Sequence, residues 1–134
     1  MSKAFTVIFD TSMLMSCFEK PVDVIGRVEE LLEAKINPAI LRSQLAELEG
    51  LAKSTRSKAS RIARAVLELV EEKFAIIDDP GGKPVDDLIV EEASQRGFMV
   101  ATNDVELRRR LRRLGVAVVY LRRDGKLEVE GLQP

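Results

Sequence analysis

The chain has 134 residues, a formal net charge of −1, 46% hydrophobic and 32% charged residues; this balance suits one compact soluble domain spanning residues 1–134 and excludes disordered, fibrous and collagen-like chains. With no histidine and one cysteine, it has no Ser-His-Asp or Cys-His catalysis, no histidine acid–base pair, no intramolecular disulfide and no His/Cys zinc centre. No apolar run nears the roughly 18 residues of a membrane span, and the amino-terminal segment lacks the blocks of a signal peptide, so a cytoplasmic protein without membrane contact is expected.

Short apolar runs alternate with amphipathic stretches, the pattern of an α/β fold. Phe5–Phe9 is nearly continuously apolar, as in a parallel strand covered on both faces. A helix follows from Val22 to Ala34, with Pro21 suited to its first turn and Val24, Val28, Leu31 and Leu32 at helical spacing. A short strand is expected at Ile36–Ile40. Leu41, Leu45, Leu48 and Ala52 mark a helix to about Lys53, and Ile62, Val66, Leu69 and Val70 mark another from Ser57 to Lys73; these two read as a helical pair. Phe74–Ile77 is a strand, ended by the turn-rich Asp78-Asp79-Pro80-Gly81-Gly82. Pro84 opens a helix to Arg96 and Gly97 closes it. Phe98–Ala101 is the next strand. Asn103 or Asp104 caps a helix with Leu107, Leu111 and Leu114 on one face, and Gly115 ends it. Val116–Leu121 is the last central strand, with Leu127–Val129 placed to pair at the sheet edge. This order gives a mostly parallel sheet of about five strands with helices on both faces, in which ligands sit beyond the carboxyl ends of the strands.

Asp10-Thr11-Ser12 and Thr102-Asn103-Asp104 fall at that end, directly after two of the strands. A turn or capping role is the alternative for Asp10. Glu47 and Glu49 both flank apolar residues, and helical periodicity does not choose between them. In Val85-Asp86-Asp87-Leu88-Ile89, Asp86 shares a side with Ile89, Val90 and Ala93, whereas Asp87 shares the opposite side with Glu91. A first-turn acid favoured by the helix dipole is the plainer role for either. Carboxylates gathered at one sheet end repel, at about 4 kcal/mol for a pair near 4 Å in an effective dielectric of 20. Such a cluster wants a cation, and all-oxygen ligands select Mg²⁺ or Mn²⁺. Cys17, with no histidine to activate it, reads as a small buried apolar residue.

The segments VIFDTSMLM, SQLAELEGLAK, PVDDLIVEEASQRG and FMVATNDVELRRRLRRLGV, in this order and covering about residues 5 to 121, resemble the PIN domain nucleases. The resemblance implies a three-layer α/β/α fold and a metal-dependent endoribonuclease using Mg²⁺ or Mn²⁺. It implies Asp10, Glu47, Asp86 and Asp104 as catalytic and metal-holding acids, with Asp87 the neighbouring alternative to Asp86. Thr102 stands in the T-x-D pattern before Asp104, and Ser12 stands where the family usually has Asn; both orient the acids. The stretch ATNDVELRRRLR and the long middle helices look closest to archaeal and eukaryotic PIN proteins linked to ribosomal RNA processing, with VapC-type toxins the nearest competitors. Implied partners are RNA, a second copy of the chain, and a ribosome-assembly protein or an antitoxin. A catalytically silent RNA-binding scaffold is the other reading. A phosphatase would also place a nucleophilic aspartate at Asp10, but haloacid-dehalogenase-like phosphatases carry a second aspartate where Ser12 stands.

Basic residues are unevenly placed. Lys53, Arg56, Lys58, Arg61 and Arg64 form a run without acids, and five of the six residues from Arg108 to Arg113 are arginine. The second cluster suits the negative end of its helix. Lys53, Arg56, Lys58, Arg61, Arg108, Arg109 and Arg112 are candidate phosphate contacts, giving salt-dependent RNA binding without sequence readout. Aromatic residues are 4% of the chain, so extensive base stacking is not expected; Phe18 and Tyr120 are the candidates for it.

Overall fold

The computed structural model describes residues 4–19, 23–54 and 56–132. Its elements in chain order are β1 (Phe5–Phe9), α1 (Thr11–Glu19), α2 (Val24–Leu32), β2 (Ile36–Leu41), α3 (Arg42–Ser54), α4 (Lys58–Lys73), β3 (Ala75–Ile77), α5 (Val85–Arg96), β4 (Met99–Ala101), α6 (Val105–Arg113), β5 (Val118–Leu121) and β6 (Leu127–Glu130). The sheet runs β3-β2-β1-β4-β5-β6. Its strands are parallel apart from β6, which pairs antiparallel with β5, Leu121 opposite Leu127.

Strand alternation divides the core into two layers. Val7 and Phe9 point to one face, where they pack with Met13, Leu14, Val28, Leu48, Val66 and Val70 of α1 to α4. Ile8, between them, points to the other face and packs with Leu88, Ile89, Leu107 and Leu111 of α5 and α6. Both faces of β1 are therefore covered, which explains its unbroken apolar sequence. Phe9 is fully buried and meets Phe74 edge-on, ring centroids 5.5 Å apart. The helical pair α3 and α4 is fastened at one end by Arg64, whose guanidinium donates to the Ala52 carbonyl at 2.9 Å.

Two details differ from the sequence reading. Thr11–Glu19 is a helix that periodicity did not reveal, because TSMLMSCFE has no continuous polar face and follows β1 with only Asp10 between. Leu114 is exposed instead of joining Leu107 and Leu111: α6 ends at Arg113, and Gly115, at φ +77°, turns the chain away. The expected edge pairing at Leu127–Val129 is present, as the sixth strand Leu127–Glu130. Pro21 and Val22 lie outside the described residues, and the helix expected there is observed from Val24, capped by Asp23.

Because β2 and β4 flank β1 on opposite sides, the chain reverses direction of winding between them. This is the switch point at which α/β sheets bind ligands. The pairing of Phe9 with Ala101 sets the next residues, Asp10 and Thr102, side by side there.

Candidate active site

Asp10 is only 9% exposed, and its backbone N–H donates to the Ala101 carbonyl at 2.9 Å. Its Oδ2 accepts from the Thr102 hydroxyl at 2.8 Å and from the Ser12 hydroxyl at 3.2 Å. A buried carboxylate is stable only when so satisfied. Thr102, itself fully buried, also accepts the Asp104 N–H at 3.0 Å. Asp104 caps α6 through one oxygen, accepting from the Leu107 N–H at 3.0 Å. One threonine hydroxyl thus links the acids that end β1 and precede α6.

The other acids come from α3 and α5. The Glu47 carboxyl is raised from its ordinary value, first by partial burial and then by the charges of Asp86 and Asp10. The Asp86 carboxyl is raised likewise, by burial and by Asp10 and Asp104, with Arg110 acting in the opposite direction. Burial is the larger cause for both, and the added like-charge repulsion shows that these acids lie near enough to act on one another. Glu47 also lines the cleft that Asp10 opens onto. Asp87 turns aside and accepts from Arg110 at 2.7 Å. That pairing separates it from Asp86, a distinction resting on a partner 23 positions away.

A cleft of about 650 Å³ opens beside Asp10 and Glu47; Thr11, Ser12, Met15 and Lys58 are among its walls. Among the described residues, no three acidic or sulfur side chains already close around an ion-sized space. The donor set is all carboxylate oxygen, and the elevated Glu47 and Asp86 carboxyls carry a repulsion that a hard divalent cation relieves. In donor chemistry, all carboxylate oxygen, these residues match such an ion.

Residues that the sequence reading did not single out brace this arrangement. Gln44, fully buried on α3, bonds to the ends of β1 and β2. Its position on the apolar stripe, three residues after Leu41 and four before Leu48, was the available signal. Asp79 accepts from the Ser43 N–H at 2.9 Å and the Ser43 hydroxyl at 2.6 Å, tying the loop before α5 to the start of α3.

The candidate phosphate contacts divide into two groups. Lys53, Arg56, Lys58 and Arg61 are exposed, and Lys58 lines the cleft, 3.7 Å from Glu19. Arg109 is exposed as well. Arg108 instead lies over the Tyr120 ring at 3.9 Å and pairs with Glu130 at 3.7 Å. Arg112 donates to the Val116 carbonyl at 3.0 Å. Tyr120 is committed to Arg108 and to Glu128, and Phe18 packs against the core. Cys17 is half-buried, its thiol raised by burial against a smaller opposing influence of Arg27; this is the reverse of an activated nucleophile.

The fold and site define an α/β protein with a carboxylate cleft at the sheet's switch point. The chain belongs to the PIN-like domain family: the pattern described as a PIN like domain matches residues 7–124. It is 32% identical over 129 residues to Ribonuclease VapC9 of Archaeoglobus fulgidus, covering 96% of this chain and 92% of that protein. It is 32% identical over 130 residues to the rRNA-processing protein fcf1 of Schizosaccharomyces pombe, of whose length it spans 64%. Among solved structures it is similar to the PIN domain endonuclease Utp24, with 30% identity and a TM-score of 0.78 over 95% of this chain and 92% of that one.

Proposed function

We propose that this protein is a Mg²⁺- or Mn²⁺-dependent endoribonuclease, acting in the cytoplasm through this one domain on ribosomal RNA precursors. What supports the reading is that Glu47 is influenced by Asp86 and Asp10, and Asp86 by Asp10 and Asp104, with Asp10 and Glu47 lining an open cleft. When bound, a hard divalent ion supplies a more acidic water and neutralises charge on a phosphoryl oxygen. The four acids hold it. Thr102 and Ser12 fix Asp10 through Oδ2, which leaves Oδ1 unengaged by hydrogen bonds among the described residues. Asp104 keeps one oxygen on the α6 backbone, so its rotamer is set before any ligand arrives. Lys58, at the cleft wall, attracts the polyanion that the acids repel, assisted by Lys53, Arg56, Arg61 and Arg109. Hydrolysis by in-line attack of water leaves a 5′-phosphate and a 3′-hydroxyl.

A second reading is a VapC-type toxin ribonuclease, paired with an antitoxin and dimeric. It is favoured by the 32% identity to Ribonuclease VapC9 over 129 residues. Growth arrest on expression, relieved by the product of a neighbouring small gene, selects the toxin; processing of a ribosomal precursor selects maturation.

The test is cleavage of an end-labelled structured RNA by wild type and Asp10→Asn with Mn²⁺, Mg²⁺ or EDTA. Metal-dependent cleavage by wild type alone is the expected result. RNA binding without cleavage under any condition replaces the reading with a silent binding scaffold and makes Ser12→Asn the reversion to try.

A further inference from the structure

Gln44 has no exposed surface, and each of its polar atoms has a defined partner. The Leu41 N–H, which can only donate, meets Oε1 at 2.8 Å. That fixes which end of the amide is oxygen. Nε2 then faces the Phe9 carbonyl at 2.7 Å and the Thr11 hydroxyl oxygen at 3.1 Å. An amide nitrogen donates and does not accept. Thr11 Oγ1 must therefore accept from Gln44, and its own proton is directed elsewhere. No hydrogen bond donated by that hydroxyl is found among the described residues, and Thr11 lines the cleft that holds Asp10, Glu47 and Lys58.

We propose that Gln44 is a positioning residue that locks the Thr11 hydroxyl as a hydrogen-bond donor into the cleft, where it binds a non-bridging phosphate oxygen of an RNA strand. The inference rests on the ribonuclease reading for its ligand. It assigns Thr11 a direct contact and Gln44 an action only through Thr11. The chemistry favours a phosphate oxygen because Lys58 in the cleft wall attracts an anion, and a neutral hydroxyl donor adds an oriented contact to it without adding to the charge of the acids. The same Gln44 side chain grips Phe9, next to Asp10, and rides on the helix that carries Glu47. Donor and acids are thus referenced to one rigid point.

The experiment compares wild type, Thr11→Val, Thr11→Ser, Gln44→Met and the Thr11→Val/Gln44→Met double variant. Affinity for a fluorescent mixed-sequence oligoribonucleotide is read by anisotropy in Ca²⁺, and kcat and KM for RNA cleavage are read in Mn²⁺. Thr11→Val is expected to weaken affinity about tenfold, the size of one hydrogen bond to a charged oxygen, and Thr11→Ser to restore it. Gln44→Met should weaken affinity in the wild-type background but add little to Thr11→Val, since both remove one interaction. Equal affinity of Thr11→Val and wild type, or fully additive losses, overturns the proposal. If wild type binds RNA but does not cleave it, the hydrolase reading fails while the affinity comparison still decides the role of Thr11. If it neither binds nor cleaves, both fall. Should Gln44→Met not fold, the Gln44 side-chain amide signals in ¹⁵N spectra serve instead: they should shift on Thr11→Val and on RNA addition to wild type, and unchanged signals in both cases count against the proposal.

Discussion

The Thr102 hydroxyl donates to Asp10 Oδ2 across 2.8 Å, joining residues 92 positions apart at the ends of adjacent parallel strands. The same oxygen accepts the Asp104 N–H, so one side chain serves two acids. Thr102→Val keeps the shape and removes both bonds, leaving a buried carboxylate oxygen and a backbone N–H less satisfied. We expect a loss of about 1–3 kcal/mol in urea unfolding and a fall in cleavage rate of about 10–100-fold. Thr102→Ser should recover most of both. A valine variant with wild-type stability and rate would show that the bridge is incidental.

The raised carboxyls of Glu47 and Asp86 make a prediction with a definite sign. A carboxyl whose folded-state pKa lies above its unfolded value takes up a proton more readily when folded. Its penalty is fully present above the folded pKa and disappears as pH falls below the unfolded one. Metal-free protein should therefore gain stability from these two groups as pH drops from neutrality into the upper carboxylate range. Glu47→Gln and Asp86→Asn should each raise Tm at pH 7 in EDTA by about 1–2 °C, a few tenths of a kcal/mol after solvent screening is allowed for. Mn²⁺ should raise Tm of wild type more than of either variant. Variants that melt below wild type in EDTA contradict the repulsion argument.

Asp86 and Asp87 are neighbours with different company. Asp86 faces the acids, while Asp87 is held by Arg110 at 2.7 Å. Asp86→Asn is expected to abolish cleavage, whereas Asp87→Asn should stay within a few-fold of wild type and cost less than about 1 kcal/mol, as for other partly exposed ion pairs. Parallel rate measurements on the two variants decide the matter; an inactive Asp87→Asn protein beside an active Asp86→Asn protein would exchange their roles.

Much of this arrangement was legible before the fold. Strand β1 announced itself by unbroken apolar residues, and Asp10 and Asp104 stood out as acids just beyond strand ends. Residue order along α5 set Asp86 on the side of Ile89 and Ala93. What stayed hidden depended on distant partners. Periodicity could not separate Glu47 from Glu49, because the cleft that Glu47 shares with Asp10 is formed by elements distant in sequence. Helix α1 was missed because its residues are apolar on too many sides to show a period. Gln44 interrupted an apolar stripe visibly, but its partners Phe9 and Thr11 lie 35 and 33 positions earlier. The arginines of α6 read as one patch, yet Arg108 and Arg112 are engaged by partners supplied by β6 and the chain after α6.

That division of the arginines gives the last prediction. Removing an exposed cation near the cleft should weaken RNA binding with little effect on stability. Lys58→Ala and Arg61→Ala together should lower affinity at low salt and flatten the dependence of log K on log salt by about 0.7 for each single-strand phosphate that is no longer neutralised. Arg108→Ala should behave differently. It strips the cation from the Tyr120 ring and the partner from Glu130, so about 1 kcal/mol of stability should go while the salt slope stays as in wild type. Arg112→Ala, which frees the Val116 carbonyl, belongs with Arg108→Ala. Titrations of wild type, the Lys58/Arg61 double variant and the two arginine variants at several salt concentrations, set beside their urea midpoints, separate the groups. A flattened slope for Arg108→Ala at unchanged stability would move that arginine to the RNA surface and leave the β5–β6 edge without its clasp.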